Sequence, residues 1–277
     1  MTAQDTRKAW DNAAAGWHRH AAEIRQWLHI PTAMLIDLAG IRPGQNVLDL
    51  AAGAGDQTLD LATCVGSTGH VTATDLSPAI LTFAAAAAGA AGHGNVTTRS
   101  ADIAALPFPD ASFDAAICRL GLMFLPDPLQ GLREALRVLK PGARFAAMVF
   151  AAPDQNPCLA ILMQTALRHA GLPPRDPFQP GGLTSLGKPG QIEALFRGAG
   201  FRATSTTRLT APFTLPTTAH YLAFVQDAAG PILQILAPLS PDLRAKAWAD
   251  IAAQLDAFQT ATGWSGPNTL LLTVGTR

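Results

Sequence analysis

The sequence predicts an α/β fold, a doubly wound sheet with helices on both faces, and three observations carry that prediction. Residues 46–50, Asn-Val-Leu-Asp-Leu, are an apolar run of strand length; Ala51-Ala52-Gly53-Ala54-Gly55 follow, and Leu59, Leu61 and Ala62 then resume at roughly helical spacing. The same alternation of β-branched or apolar runs with helical segments continues to residue 151. Three successive strands close on acids, Asp49, Asp75 and Asp102, at the carboxyl ends where open α/β sheets bind ligands.

From the N-terminus, residues 5–29 carry Trp10, Ala14, Trp17, Ala21, Ile24 and Leu28 on one helical face, with His20 and Trp27 on its flank and His18 on the other. Such a helix either packs on the domain or forms a lid whose Trp10, Trp17 and His20 cover ligand and substrate. Two tryptophans on an edge helix favour the lid. A second helix over 31–39 leads to the turn Arg42-Pro43-Gly44. Asp49 ends the first strand, poised to accept hydrogen bonds from an amine-bearing or cationic ligand. The small-residue turn after it lets backbone amides approach a ligand at the positive end of a helix that Asp56 is placed to cap.

Asp75 closes the strand over 70–75 about 20 residues past that turn, the spacing at which a carboxylate meets ribose hydroxyls. Leu76 follows, and Ser77-Pro78 open a helix as N-cap and first-position proline. The strand over 96–100 runs into Asp102-Ile103, an acid beside an apolar residue, suited to an adenine held by its amine and one ring face. A strand over 113–118, a helix over 129–139 stopped by Pro141-Gly142, and an almost wholly apolar, central strand over 143–151 complete the alternation. A dinucleotide fingerprint needs glycine where Thr58 stands, and no lysine lies between Lys8 and Lys140 to serve a nucleoside triphosphate loop. Three acids without a phosphate-binding base point to a ligand with an amine and a ribose and no phosphate.

Residues 47–55, 71–78, 100–114 and 132–142 resemble the motifs of class I S-adenosylmethionine-dependent methyltransferases, in the small-molecule branch related to the ubiquinone and menaquinone C-methyltransferases. Most characteristic are Leu106-Pro107-Phe108-Pro109-Asp110-Ala111-Ser112-Phe113-Asp114 and Arg137-Val138-Leu139-Lys140-Pro141-Gly142. The resemblance is strong over about 41–151 and loose beyond. It implies a Rossmann-like seven-stranded sheet with the last strand antiparallel, S-adenosyl-L-methionine as cofactor and S-adenosyl-L-homocysteine as product. It also implies that Asp49 with Ala51, Gly53 and Gly55 holds the methionine moiety, Asp75 the ribose, and Asp102 with Ile103 the adenine; Trp17, Leu76 and Arg119 are further candidates for contact with the cofactor. Ala51 departs from the family's usual glycine. The reaction implied is transfer of the sulfonium methyl to an O, N or C nucleophile of a small, largely apolar acceptor.

Beyond the core, turn formers crowd 154–189 and suggest a surface insertion of the substrate-cap kind. Helices over 158–170 and 191–199, a threonine-rich strand over 202–210, a largely helical 217–262 broken at Pro231 and Pro241, and a final strand over 269–275 follow. The chain divides into an N-terminal helical lid (1–40), a cofactor core (41–152) and the remainder of the sheet with helical cap insertions (153–277). Candidate bases are His20, His220 and Tyr221, with His18 behind them. Arg119 either pairs with a nearby acid or orders the cofactor or a substrate oxygen. Cys118 is expected to be a buried small residue.

Lys+Arg and Asp+Glu number 20 each and no basic run occurs, which disfavours nucleic acid as a partner. No apolar stretch approaches the ~20 residues of a membrane span, and the start lacks a signal pattern. Cys64, Cys118 and Cys158 form neither a disulfide framework nor a metal set, and arsenite methylation would need clustered cysteines. The expectation is a cytoplasmic protein with no metal, acting on a small molecule; its oligomeric state, a homodimer included, is left open. Two other classes compete. An NAD(P)-dependent oxidoreductase is opposed by Thr58 and by the absence of a second nucleotide half. A non-catalytic S-adenosylmethionine-binding accessory protein differs only in lacking turnover.

Overall fold

In the computed structural model, which describes residues 3–277, two helices precede the sheet, α1 (Ala3–Arg19) and α2 (Ala21–Leu38). Strands and helices then alternate: β1 (Asn46–Leu50), α3 (Asp56–Val65), β2 (His70–Asp75), α4 (Pro78–Ala90), β3 (Val96–Ser100), β4 (Phe113–Arg119), α5 (Pro128–Val138) and β5 (Leu139–Phe150). Helices α6 (Pro157–His169) and α7 (Gln191–Ala199) lead to β6 (Arg202–Thr210) and β7 (Phe213–Leu215). Helices α8 (Thr218–Ala228), α9 (Gly230–Leu236) and α10 (Pro241–Leu255) precede β8 (Gln259–Thr260), β9 (Gly263–Gly266) and β10 (Thr269–Thr276).

Seven strands form one sheet in the order β3-β2-β1-β4-β5-β10-β6. Strands β1 to β5 pair in parallel, and β10, the last in the chain, lies antiparallel between β5 and β6. This is the doubly wound, Rossmann-like sheet with a reversed final strand. The order turns back at β1, whose neighbours are β2 and β4, and the crevice at that switch point is where such sheets hold ligands. Parallel register sets the end of β1 beside its neighbours, Leu50 opposite Thr74 and Cys118. The strand β5 is buried along most of its length, as its apolar sequence requires of a central strand.

Three local features differ from the sequence expectation. The first helix breaks at His20, and α2 then runs straight through Pro31, which sits buried inside it. The residues at the break are held elsewhere: Arg19 and His20 both reach Asp227 on α8. Asp56 is the first residue of α3, not its cap; Gly55, with φ 90°, occupies the cap position with no side chain to offer. A Cβ there would also lie 2.8 Å from the Ala84 backbone, so the site demands glycine twice over. A second, three-stranded sheet, β7-β9-β8, flanks the stretch 217–262 expected to be largely helical, and its strand β8 lies inside that stretch. Together with α6, α8, α9 and α10 it encloses a second apolar cluster around Trp264 and Tyr221.

Ser77 caps α4 as expected, accepting from Ile80 N while Pro78 takes the first turn. The Ser77 hydroxyl donates onward to Asp11 of α1 at 2.5 Å, so the cap also ties the N-terminal helix to the sheet. At the other end of α1, a Cβ on Gly16 would lie 2.1 Å from the Asp227 carbonyl oxygen. The helices α1 and α8 therefore meet backbone to backbone. No described helix is long and apolar enough to cross a membrane.

Candidate active site

A cavity of about 380 Å³ opens at the carboxyl ends of β1, β2 and β4, roofed by α1 and α8. Its floor is the turn after β1. Ala51 there has φ 55°, a left-handed conformation that costs an alanine about 1–2 kcal/mol. Leu120, after β4, has φ 56° and lines the same cavity. Two strained non-glycine residues on facing strand ends mark a place where the fold holds a shape for a ligand. The loops meet closely: a Cβ on Gly121 would lie 2.3 Å from the Ala51 Cβ.

Asp75 stands in the cavity wall with both carboxylate oxygens fixed, Oδ2 accepting from Gly53 N at 3.0 Å and Oδ1 from Ser77 N at 2.9 Å. Burial raises its pKa, and the backbone donors of Ser77, Gly53 and Leu76 oppose that rise. Asp102, fixed by Ala104 N at 2.9 Å, and Ile103 line the cavity beside it. Gly53, Ala51, Leu76, Arg119 and Trp17 are also in the wall. Among the described residues no lysine or histidine lines this cavity, and Arg119 is committed: its Nη1 lies 2.7 Å from Asp56 Oδ2 and 2.9 Å from Thr32 Oγ1. Asp56 also accepts from Arg25, so a row of charges joins α2, α3 and β4. A backbone-pinned acid in the wall, a second acid beside an apolar residue, and no unpaired cation among the described lining residues fit S-adenosylmethionine.

Several expected site residues lie elsewhere. Asp49 is fully buried beneath the turn and outside the cavity wall, where Thr58 Oγ1 donates to it at 2.6 Å and Gln57 Nε2 at 3.2 Å. Burial pushes its pKa up to about 7, against those donors. Gln57 does line the cavity, so Asp49 supports the turn through Gln57 and does not touch the space itself. Gly55 likewise shapes the turn from behind. His20 is bound to Asp227 at 3.0 Å and packs edge-on to Phe224, outside the cavity wall. His220 is exposed and paired with Thr217 Oγ1 at 2.8 Å, and it does not line the cavity. His18 stacks on Phe83 on the outer surface of α4. Of the candidate bases only Tyr221 lines the cavity, and burial raises its phenol far above its ordinary value. Cys118 is buried with its thiol pushed up to about 12, an inert packing residue.

A family model described as the ubiE/COQ5 methyltransferase family matches residues 25–165, just over half of the chain. The chain belongs to the ubiE/COQ5 methyltransferase family. A ubiquinone/menaquinone biosynthesis C-methyltransferase UbiE of Ectopseudomonas mendocina (strain ymp) is 41% identical over 131 residues, 47% of this chain and 51% of that protein. The chain thus spans about half the length of the curated relatives it matches. Among solved structures the (4+2)-cyclase SpnF has a TM-score of 0.64 at 20% identity, covering 99% of this chain and 97% of that one. The Haemonchus contortus phosphoethanolamine N-methyltransferase 2, solved with S-adenosylhomocysteine, has a TM-score of 0.57 at 15% identity over 94% of this chain and 58% of that one. These likenesses concern the fold.

Within the family match lie the turn, Asp75, Asp102, Arg119 and three aromatics of the wall, Trp27, Phe124 and Phe150; the other aromatics of the wall lie outside it. Phe213, Tyr221 and Phe224 come from β7 and α8, and Trp10 from α1. Trp27, on the flank of the expected apolar stripe, stacks on Phe213 with centroids 4.7 Å apart and donates to the Ala211 carbonyl. Sequence reasoning missed Phe213, Phe224 and Gln57. Gln57 follows the turn on α3, but its sequence gives no sign of facing the cavity; no periodicity links the two phenylalanines to the turn, and it is the packing of α8 on α1 that brings Phe224 and of β7 on Trp27 of α2 that brings Phe213.

Proposed function

We propose that the protein is an S-adenosylmethionine-dependent methyltransferase acting on a small, largely apolar acceptor. The observation that carries this reading is the Asp75 carboxylate, pinned by two backbone amides in the wall of a cavity with Asp102 at the neighbouring strand end and no unpaired cation. When bound, the cofactor would supply an activated sulfonium methyl to an O, N or C nucleophile of the acceptor, the electron pair of the broken carbon–sulfur bond remaining on sulfur. In this reading Asp75 accepts from the ribose hydroxyls, Asp102 with Ile103 receives the adenine, and the backbone of Ala51 and Gly53 borders the methionine moiety.

The chain's further contributions are positioning and exclusion of water. Trp10 packs against Trp17 at 6.0 Å and against Phe124 at 5.1 Å, which carries α1 across the cavity mouth. We read α1 and α2 as the lid and α6 with α8 to α10 as the cap over the acceptor. The activated methyl needs no covalent intermediate, and with His20 and His220 outside the cavity this reading includes no imidazole base. The matched UbiE relatives are named as C-methyltransferases of ubiquinone and menaquinone biosynthesis. The family match ends at residue 165, before β7 and α8, so their acceptor is not carried over. The test is S-adenosylhomocysteine formation by the full chain with a panel of phenols, amines and quinols. Product above the no-acceptor background supports an enzyme; cofactor binding with no product from any acceptor favours an accessory protein.

A further inference from the structure

We propose that Trp17 Nε1 is the donor that receives the carboxylate at the amino-acid end of the cofactor, so that the lid helix α1 closes on that end and not on the adenosine. This rests on the methyltransferase reading, and the two ligands compared below separate the failure of that reading from the failure of the donor.

Among the described residues, four buried side-chain atoms have no hydrogen-bond partner: Trp17 Nε1, Gln155 Oε1, Gln191 Oε1 and Thr218 Oγ1. Of these residues only Trp17 lines the cavity. Other indoles are satisfied, Trp27 Nε1 donating to the Ala211 carbonyl and Trp264 Nε1 to the Leu255 carbonyl, both at 2.8 Å. A donor buried without an acceptor is destabilising, and phenylalanine would keep aromatic contacts here without that cost. The indole is also held in place. It meets Trp10 at 6.0 Å and Phe224 edge-on at 6.1 Å. To one side of it along α1, Asp11 accepts from Ser77 Oγ at the start of α4. To the other, Arg19 and His20 both bind Asp227 of α8. The lid is pinned at both ends with an unsatisfied N–H between them, which implies a ligand atom to accept it.

Place and charge say which atom. Trp17 packs on the core of the seven-stranded sheet, as Ala51, Leu120 and Phe124 do, and not on the cluster around Trp264 and Tyr221. It stands on the side of the turn after β1, which in the proposed reading borders the methionine moiety. That moiety brings one anion, its carboxylate. The charged groups of the wall are the acids Asp56, Asp75, Asp102 and Asp127 and a single cation, Arg119, which pairs with Asp56 at 2.7 Å. Acids suit the ammonium and the sulfonium of the cofactor. The carboxylate is left to neutral donors, and an N–H given to a charged oxygen makes one of the stronger hydrogen bonds.

The test compares S-adenosylhomocysteine with its decarboxylated analogue, which keeps the adenosine, the sulfur and the amine. Calorimetry on the full chain gives the dissociation constant of each. Trp17→Phe should weaken S-adenosylhomocysteine about tenfold or more, the effect of one hydrogen bond to a charged acceptor, and leave the analogue within about twofold. A role in packing alone would move both constants together. In the wild type, the indole ¹⁵N–¹H resonance that Trp17→Phe lacks should shift downfield with S-adenosylhomocysteine and stay in place with the analogue. Tryptic cleavage at Arg19 should slow with the first ligand and not with the second. An unchanged ratio of the two constants in Trp17→Phe, an equal rise in both, an indole resonance that does not distinguish the ligands, or equal protection of Arg19 by both would overturn the assignment. If neither ligand binds, the methyltransferase reading fails and the donor falls with it; if both bind and the ratio does not move, that reading stands without this donor.

Discussion

Replacing Gly121 by alanine puts a methyl carbon 2.3 Å from the Ala51 Cβ and 3.0 Å from Cys118 Sγ. Carbon atoms in contact settle at about 3.5–4.0 Å, so the loops after β1 and β4 must part by more than about 1 Å. Neither is free to yield. Ala51 is held by Gln57 Nε2 at its carbonyl and by the following Ala52 N, which donates to the Thr74 carbonyl at 2.9 Å. Overpacking of this kind costs about 1–3 kcal/mol, and alanine returns about 0.4–1 kcal/mol by restricting the unfolded chain. The expected net loss is about 1–2 kcal/mol, with S-adenosylhomocysteine affinity falling at least about tenfold because both loops form the cavity floor. Ala51→Gly alone should be neutral or stabilising by up to about 1 kcal/mol, since relief of the left-handed strain exceeds the extra entropy of glycine. The double variant should regain most of what Gly121→Ala loses, a coupling of about 1–2 kcal/mol. Urea unfolding and calorimetry on the four proteins measure the cycle. If the two single effects simply add, the proposed contact between these loops is wrong.

Two further perturbations test the supports of the cavity. Gly16→Ala, whose Cβ would meet the Asp227 carbonyl oxygen at 2.1 Å, should pry α1 from α8 and lower turnover severely. Its readout is faster tryptic cleavage at Arg7 and Arg19, and an unaltered cleavage pattern would contradict the backbone contact. Asp49 binds its proton more tightly in the folded protein, where its pKa is about 7, than in the unfolded chain. Its contribution to stability is therefore greatest near pH 4 and declines as pH rises toward 7, by an upper bound on the order of 4 kcal/mol. Urea midpoints from pH 4 to 8 should fall across that window in the wild type and stay flatter in Asp49→Asn; parallel curves would show that Asp49 is ionised throughout.

The sheet and the strand-end half of the cavity were legible because their signals are local. A strand, a small-residue turn and a helix follow one another within 17 residues, and Asp75 and Asp102 sit where strands end. Asp49 occupied the same kind of position, yet residues 47–50 are all buried, so no alternation showed which way its side chain turned. The histidines were misleading for a different reason. His20 takes its meaning from Asp227, more than 200 residues away, and His220 from its own turn. Strands of two and four residues, β8 and β9, are too short for any period, and β9 begins and ends on glycine. Proline normally ends a helix, but Pro31 lies in α2, where burial against the core outweighs one missing hydrogen bond.

Calorimetry of the full chain with S-adenosylhomocysteine and, separately, with NADH bears most directly on the assignment of this cavity. The expected result is micromolar or tighter binding of S-adenosylhomocysteine, about −8 kcal/mol, with no comparable heat from NADH. Asp75→Ala should raise the dissociation constant by about 10- to 100-fold, since hydrogen bonds to a charged acceptor contribute about 1.5–3 kcal/mol each. Preferential binding of NADH, or an affinity for S-adenosylhomocysteine that is unchanged in Asp75→Ala, would contradict it.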